Sequence, residues 1–68
     1  MPSSPLIPPL SSMSSTLEDL IGRVTAMADA ERSLKHEDTG AALEEIERSL
    51  RSGSRRMIRL LGELERRR

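Results

Sequence analysis

The chain is 68 residues long, carries eleven basic and eleven acidic side chains, and has no cysteine, Phe, Tyr or Trp. A chain this short buries a small share of its surface and folds marginally without a staple. The missing cysteines exclude disulfides and thiolate metal sites, and a single histidine, His36, excludes a histidine cluster for zinc, so association with another chain is the stabiliser left.

Residues 1–15 hold prolines at positions 2, 5, 8 and 9 and serines at 3, 4, 11, 12, 14 and 15. Proline removes a backbone donor and opposes a helix interior, and serine adds no apolar burial, so a disordered tail is expected. Pro5 and Pro8 have the spacing of a polyproline-type ligand, but no basic residue flanks them. The stretch lacks a basic n-region, its short Leu6-Ile7 run is broken by prolines, and no segment reaches the length of a transmembrane helix. A soluble intracellular protein with no membrane partner is the expectation.

A first helix is expected over about 16–36. Ser15 followed by Glu18 has the spacing of a capping box, and Glu18 and Asp19 suit the positive end of a helix dipole. Leu17, Leu20, Ile21, Val24, Met27, Ala28 and Leu34 then recur at spacings of three and four, with Glu31 the one polar intruder. The segment His36-Glu37-Asp38-Thr39-Gly40 reads as a break, with Asp38 or Thr39 as a cap and Gly40 at the turn. The phase agrees: continuing the first register past Leu34 meets Asp38, Glu45 and Arg48 where apolar residues belong.

A second helix, about 41–66, carries the heptad Leu43, Ile46, Leu50, Gly53, Met57, Leu60 and Leu64, widened by Ile58 and Leu61. Ser52-Gly53-Ser54 resembles a breaker, and a mid-helix glycine costs about 1 kcal/mol, but the heptad keeps its phase on both sides. One helix is expected, with Gly53 letting a partner helix approach closely. The whole predicts an all-α chain: a tail over 1–15 and an antiparallel helical hairpin over 16–68, paired into a four-helix bundle or coiled coil.

No catalytic constellation, cofactor-binding motif or metal-ligand set emerges. There is no glycine-rich phosphate loop and no nucleophile–base arrangement, and two helices form no cleft of their own. His36, Glu37 and Asp38 are adjacent, so at a helix end they point in different directions and read as a solvated turn. No enzymatic activity and no cofactor are expected.

The apolar seam is the strongest functional signal. Its candidate protein-interface residues are Leu17, Leu20, Val24, Met27, Leu34, Leu43, Ile46, Leu50, Gly53, Met57, Leu60 and Leu64. They are more than a hairpin covers, so the remainder is expected to meet a second copy or another helical protein. The methionines Met27 and Met57 make such a surface adaptable, although either also serves as ordinary core filling. The second signal is charge. Residues 1–47 carry three basic against nine acidic side chains, whereas residues 48–68 carry eight arginines against Glu63 and Glu65. Arg48, Arg51, Arg55 and Arg59 fall at outward positions opposite the seam, in a stripe roughly 16 Å long at the rise of an α-helix. That stripe is a candidate polyanion contact, so a nucleic-acid-binding dimer is the alternative expectation. The missing aromatics, which stack on bases, and the neutral overall charge weigh against it.

Overall fold

The computed structural model describes residues 4–67, and two helices account for most of them: α1, Ile7–Ser33, and α2, Glu37–Arg66. They pack side by side as an antiparallel hairpin 55 Å long, 15 Å wide and 11 Å thick between Cα atoms.

α1 begins at Ile7 and not near residue 16, so the tail expected over 1–15 is helical from residue 7; Met1 to Ser3 lie outside the described residues. The prolines explain the difference. Pro8 and Pro9 occupy the first turn, where backbone N–H groups have no intrahelical partner and their fixed φ suits a helix. The first amide that needs a carbonyl is that of Leu10, and it donates to Leu6 at 2.9 Å. The polyproline reading of Pro5 to Pro8 fails with the tail, because Pro5 lies in the turn leading into α1 and Pro8 inside the helix. Ser15 and Glu18 fall in mid-helix and form no capping box.

The break lies at Leu34–His36, slightly earlier than expected. The Lys35 amide donates to the Arg32 carbonyl at 2.9 Å and the His36 amide to the Glu31 carbonyl at 2.8 Å. This bond pair is a Schellman ending, which requires a left-handed residue at its centre. Lys35 takes that place with φ 64°. α2 starts at Glu37 with His36 as its N-cap residue and no side-chain cap, so neither Asp38 nor Thr39 caps it; Glu37 and Asp38 lie in its first turn. Gly40 is helical and buried rather than part of the turn. A Cβ there would lie 3.1 Å from Arg32 Cγ and 3.7 Å from the Ala28 carbonyl oxygen, so glycine serves the close approach of the helices beside the turn. α2 then runs unbroken through Ser52-Gly53-Ser54.

The seam follows a heptad on both helices. On α1, the a positions are Ile7, Ser14, Ile21 and Ala28, and the d positions are Leu10, Leu17, Val24 and Glu31. On α2, a is Gly40, Glu47, Ser54 and Leu61, and d is Leu43, Leu50, Met57 and Leu64; all sixteen are buried or half-buried. The seam is thin. Only Ile21, Ala28 and Leu64 fall below a tenth exposed among the hydrophobic residues, and no described side chain is sealed completely from solvent.

The left-handed Lys35 yields a test. A non-glycine residue there carries a steric penalty that glycine lacks, partly offset by glycine's greater freedom when unfolded. Lys35→Gly should raise the stability of the hairpin by about 0.5–1 kcal/mol, read by urea denaturation, while Lys35→Val should lower it.

Candidate protein-interaction surface

The twelve residues expected at a protein interface divide into two sets. Leu17, Val24, Leu43, Leu50, Met57 and Leu64 are d residues and pack in the seam between α1 and α2. Leu20, Met27, Leu34, Ile46, Gly53 and Leu60 all stand at heptad position g, one residue before a. In an antiparallel pair the g positions of both helices border the same face, and the e positions border the other. Side-chain contacts agree. Met13 and Leu20, both at g, line an open groove of 250 Å³ together with Leu17 and Met57 from the seam. On the opposite side Glu18, Arg51 and Ile58, all at e, meet around Ile21 and Ser54.

The g face is apolar over most of its length, with Thr39 its polar residue beside the turn. Leu6, Met13, Leu20, Met27 and Leu34 follow one another every seventh residue along the α1 side, and Ile46, Gly53 and Leu60 do so along α2. The large side chains in this set range from 37% exposed at Leu60 to 65% at Leu34. Leu6 and Met13 fall outside the expected interface because the proline- and serine-rich segment 1–15 reads as a tail. Their seven-residue spacing from Leu20 was the signal that could have placed them.

The e face is polar and cross-linked. The Arg32 guanidinium pairs with Glu44 across the hairpin beside the turn. Farther along, the Ser54 hydroxyl, buried in the seam, donates to the Glu18 carboxylate at 3.2 Å. Glu47, also at a seam position, accepts from Arg51 Nε at 2.8 Å. That bond is the main cause that holds the Glu47 carboxyl below its usual range; a hydrogen bond from Thr25 and the charges of Arg51 and Arg48 add to it, while partial desolvation opposes it. The single Thr25 hydroxyl proton serves either Glu47 or the Ile21 carbonyl, 2.9 Å away. Glu47, Ser54, Glu18 and Thr25 thus form a polar band in and beside the seam, which the apolar periodicity did not reveal. Ile58 is the one large hydrophobic residue exposed on this face.

The arginine stripe is less uniform than its spacing suggests. Arg48, Arg51, Arg55 and Arg59 are all exposed, but Arg51 turns toward the e face, and the observed heptad puts Arg48 and Arg55 at b and Arg59 at f. Arg48 is paired with Glu45 at 2.9 Å and Arg51 with Glu47, so the half of the stripe nearer the turn is neutralised within its own helix. Arg55, Arg56 and Arg59 have no acidic partner among the described residues.

His36 Nδ1 meets the Glu31 carboxylate, and among the described residues no three His, Cys, Asp or Glu side chains converge where a metal could bind. Neither helix is long and apolar enough to cross a membrane, among the residues described. The fold is that of a two-helix, all-α hairpin with one apolar and one polar broad face. No protein family, characterised protein or solved structure matches the chain.

Glu47 carries a pH signature. A carboxyl whose folded pKa lies below its unfolded value stabilises fully above the unfolded value, and that contribution disappears as pH falls through the folded one. The stability advantage of the wild type over Glu47→Gln should therefore be present at neutral pH and shrink toward pH 3. A difference between the two chains that grows on acidification, by urea melts at each pH, would contradict this origin.

Proposed function

We propose that the chain is a non-catalytic interaction or assembly module, acting as a regulator, adaptor or complex subunit. It binds helical protein chains, a second copy of itself included, through the apolar g face, and so completes a coiled coil or four-helix bundle. One observation carries the reading: both helices expose large aliphatic side chains on the same face of a hairpin that buries only three hydrophobic residues among those described. Burying apolar area contributes about 25 cal/mol per Å², and a thin seam leaves this second row as the main apolar reserve. Rows of this kind mark surfaces that meet protein, and Met13 and Met27 on it adapt to a partner's shape.

A nucleic-acid-binding dimer is the alternative, favoured by Arg55, Arg56 and Arg59, which have no acidic partner among the described residues. The remaining arginines of the stripe spend their charge on Glu45 and Glu47, and no aromatic side chain is available for base stacking.

Two variants separate these readings. In Leu20→Gln/Met27→Gln the hairpin should stay helical, because both residues are exposed within it, while protein chains captured from the native host by the wild type are lost. In Arg55→Gln/Arg56→Gln/Arg59→Gln protein capture should persist. Leu50→Ala is the folding control, expected to cost about 2 kcal/mol as a half-buried seam leucine. Retention of every captured protein by the apolar-face variant would refute the interaction reading. A salt-sensitive gel shift at sub-micromolar protein, abolished by the arginine variant, would put the nucleic-acid reading in its place.

A further inference from the structure

Resting on that reading, we infer that the g face is built for a second copy of this chain, laid face to face and end for end about a two-fold axis that crosses the hairpin. α1 then lies on α1 and α2 on α2, each pair running in opposite directions.

The order of residue types on the face supports this. Along α1 the row reads Leu6, Met13, Leu20, Met27, Leu34, and along α2 it reads Ile46, Gly53, Leu60 between the polar Thr39 and Arg67. The α1 row and the apolar part of the α2 row are the same when reversed, apart from the exchange of Ile for Leu; the polar ends of the α2 row, Thr39 and Arg67, then fall opposite each other. Turning one copy end for end therefore puts Leu6 on Leu34, Met13 on Met27 and Ile46 on Leu60, with Leu20 and Gly53 each facing its own counterpart. These two central residues are nearly level across the hairpin: a Cβ on Gly53 would touch Leu17 Cδ2 at 4.0 Å, less than a turn from Leu20. One axis thus passes near both, and glycine at the α2 centre lets the two α2 helices cross closely. A self-complementary row is what a two-fold interface requires, since the same patch serves both sides.

Charge selects between the two ways of stacking the faces. At the turn end, residues 29–45 carry six carboxylates against Arg32 and Lys35. At the open end, residues 4–17 and 55–67 carry five arginines against Glu63 and Glu65, and the middle of the hairpin is balanced. An axis along the hairpin would set acidic turn on acidic turn and basic end on basic end. The axis across it sets each acidic turn on the basic end of the other copy, bringing Glu37 and Asp38 within about a helical turn of the level of Arg66 and Arg67. Size is adequate as well: a face of 55 by 15 Å has a footprint on the order of 800 Å², about what one partner gives to a stable interface.

Single cysteines test the arrangement, because the chain has none of its own. Leu20→Cys, near the axis, should form an interchain disulfide in most of the protein on mild oxidation. Met13→Cys alone should cross-link at least tenfold more slowly, and mixing it with Met27→Cys should restore the rate. Sedimentation equilibrium of the wild type should show a dimer at 100 µM whose dissociation constant rises several-fold between 50 and 500 mM salt, as screening weakens the end-to-end attraction. A dimer that tightens with salt, or cross-links through Met13→Cys alone but not through Leu20→Cys, overturns the orientation. A folded monomer at 100 µM overturns the self-pairing altogether. If that monomer still captures host proteins through Leu20 and Met27, the interaction reading stands while this inference falls; if it captures none, both fall.

Discussion

Two helices lying side by side can bury only one stripe of side chains each, and the apolar residues of this chain occupy more than one stripe. That geometrical shortage shapes the rest of the molecule. The a and d positions close onto each other along the seam, and the row at g is left outside with nothing in the hairpin to cover it. With no aromatic side chain to fill volume, the seam consists of small and medium aliphatic groups, interrupted on α2 by Gly40, Glu47 and Ser54. These three do not weaken it in the same way. Gly40 brings the helices close beside the turn, Ser54 is satisfied by Glu18, and Glu47 is held by Arg51. Among the described residues no buried side-chain polar atom is left without a partner, as burial requires.

The two broad faces differ because the cross-helix polar contacts all fall on one of them. Arg32 with Glu44, and Glu18 with Ser54, join α1 to α2 on the e side. Exposed ion pairs contribute little stability apiece, roughly 0–1 kcal/mol. Their position matters more, because they help fix the rotation of each helix about its own axis and so direct the g row outward. Glu45 and Glu47 likewise pair with Arg48 and Arg51 on α2.

The ends differ as strongly as the faces. The turn is acidic and the open end basic, so a chain of zero net charge has a pronounced polarity along its 55 Å length. Beyond the Debye length, about 8 Å at physiological salt, exposed charges are largely screened. At contact the local ends decide, and they favour a neighbour that runs the opposite way. The proposed assembly role would draw on both features: an apolar face left uncovered within the hairpin and a charge layout polarised along its length.

Much of the architecture was legible in the sequence. Apolar spacing of three and four indicated two helices, and the loss of phase after Leu34 indicated a turn, since a single helix cannot change register without a break. The continuity of the Leu43–Leu64 heptad across Gly53 indicated that α2 does not stop there. Which face of each helix meets the other was decided only by tertiary packing. On α2 the stripe through Leu43, Leu50, Met57 and Leu64 can take its other half from Ile46, Gly53 and Leu60 or from Glu47, Ser54 and Leu61. Hydrophobicity alone prefers the first. The hairpin uses the second, because Glu18, Thr25 and Arg51 give Glu47 and Ser54 partners across or along the seam, and partners 36 residues apart in the chain, such as Ser54 and Glu18, leave no periodic trace. The early start of α1 was hidden for a related reason: proline is read as a breaker by its type, but its effect depends on whether it stands in the first turn, and only the folded helix sets that position.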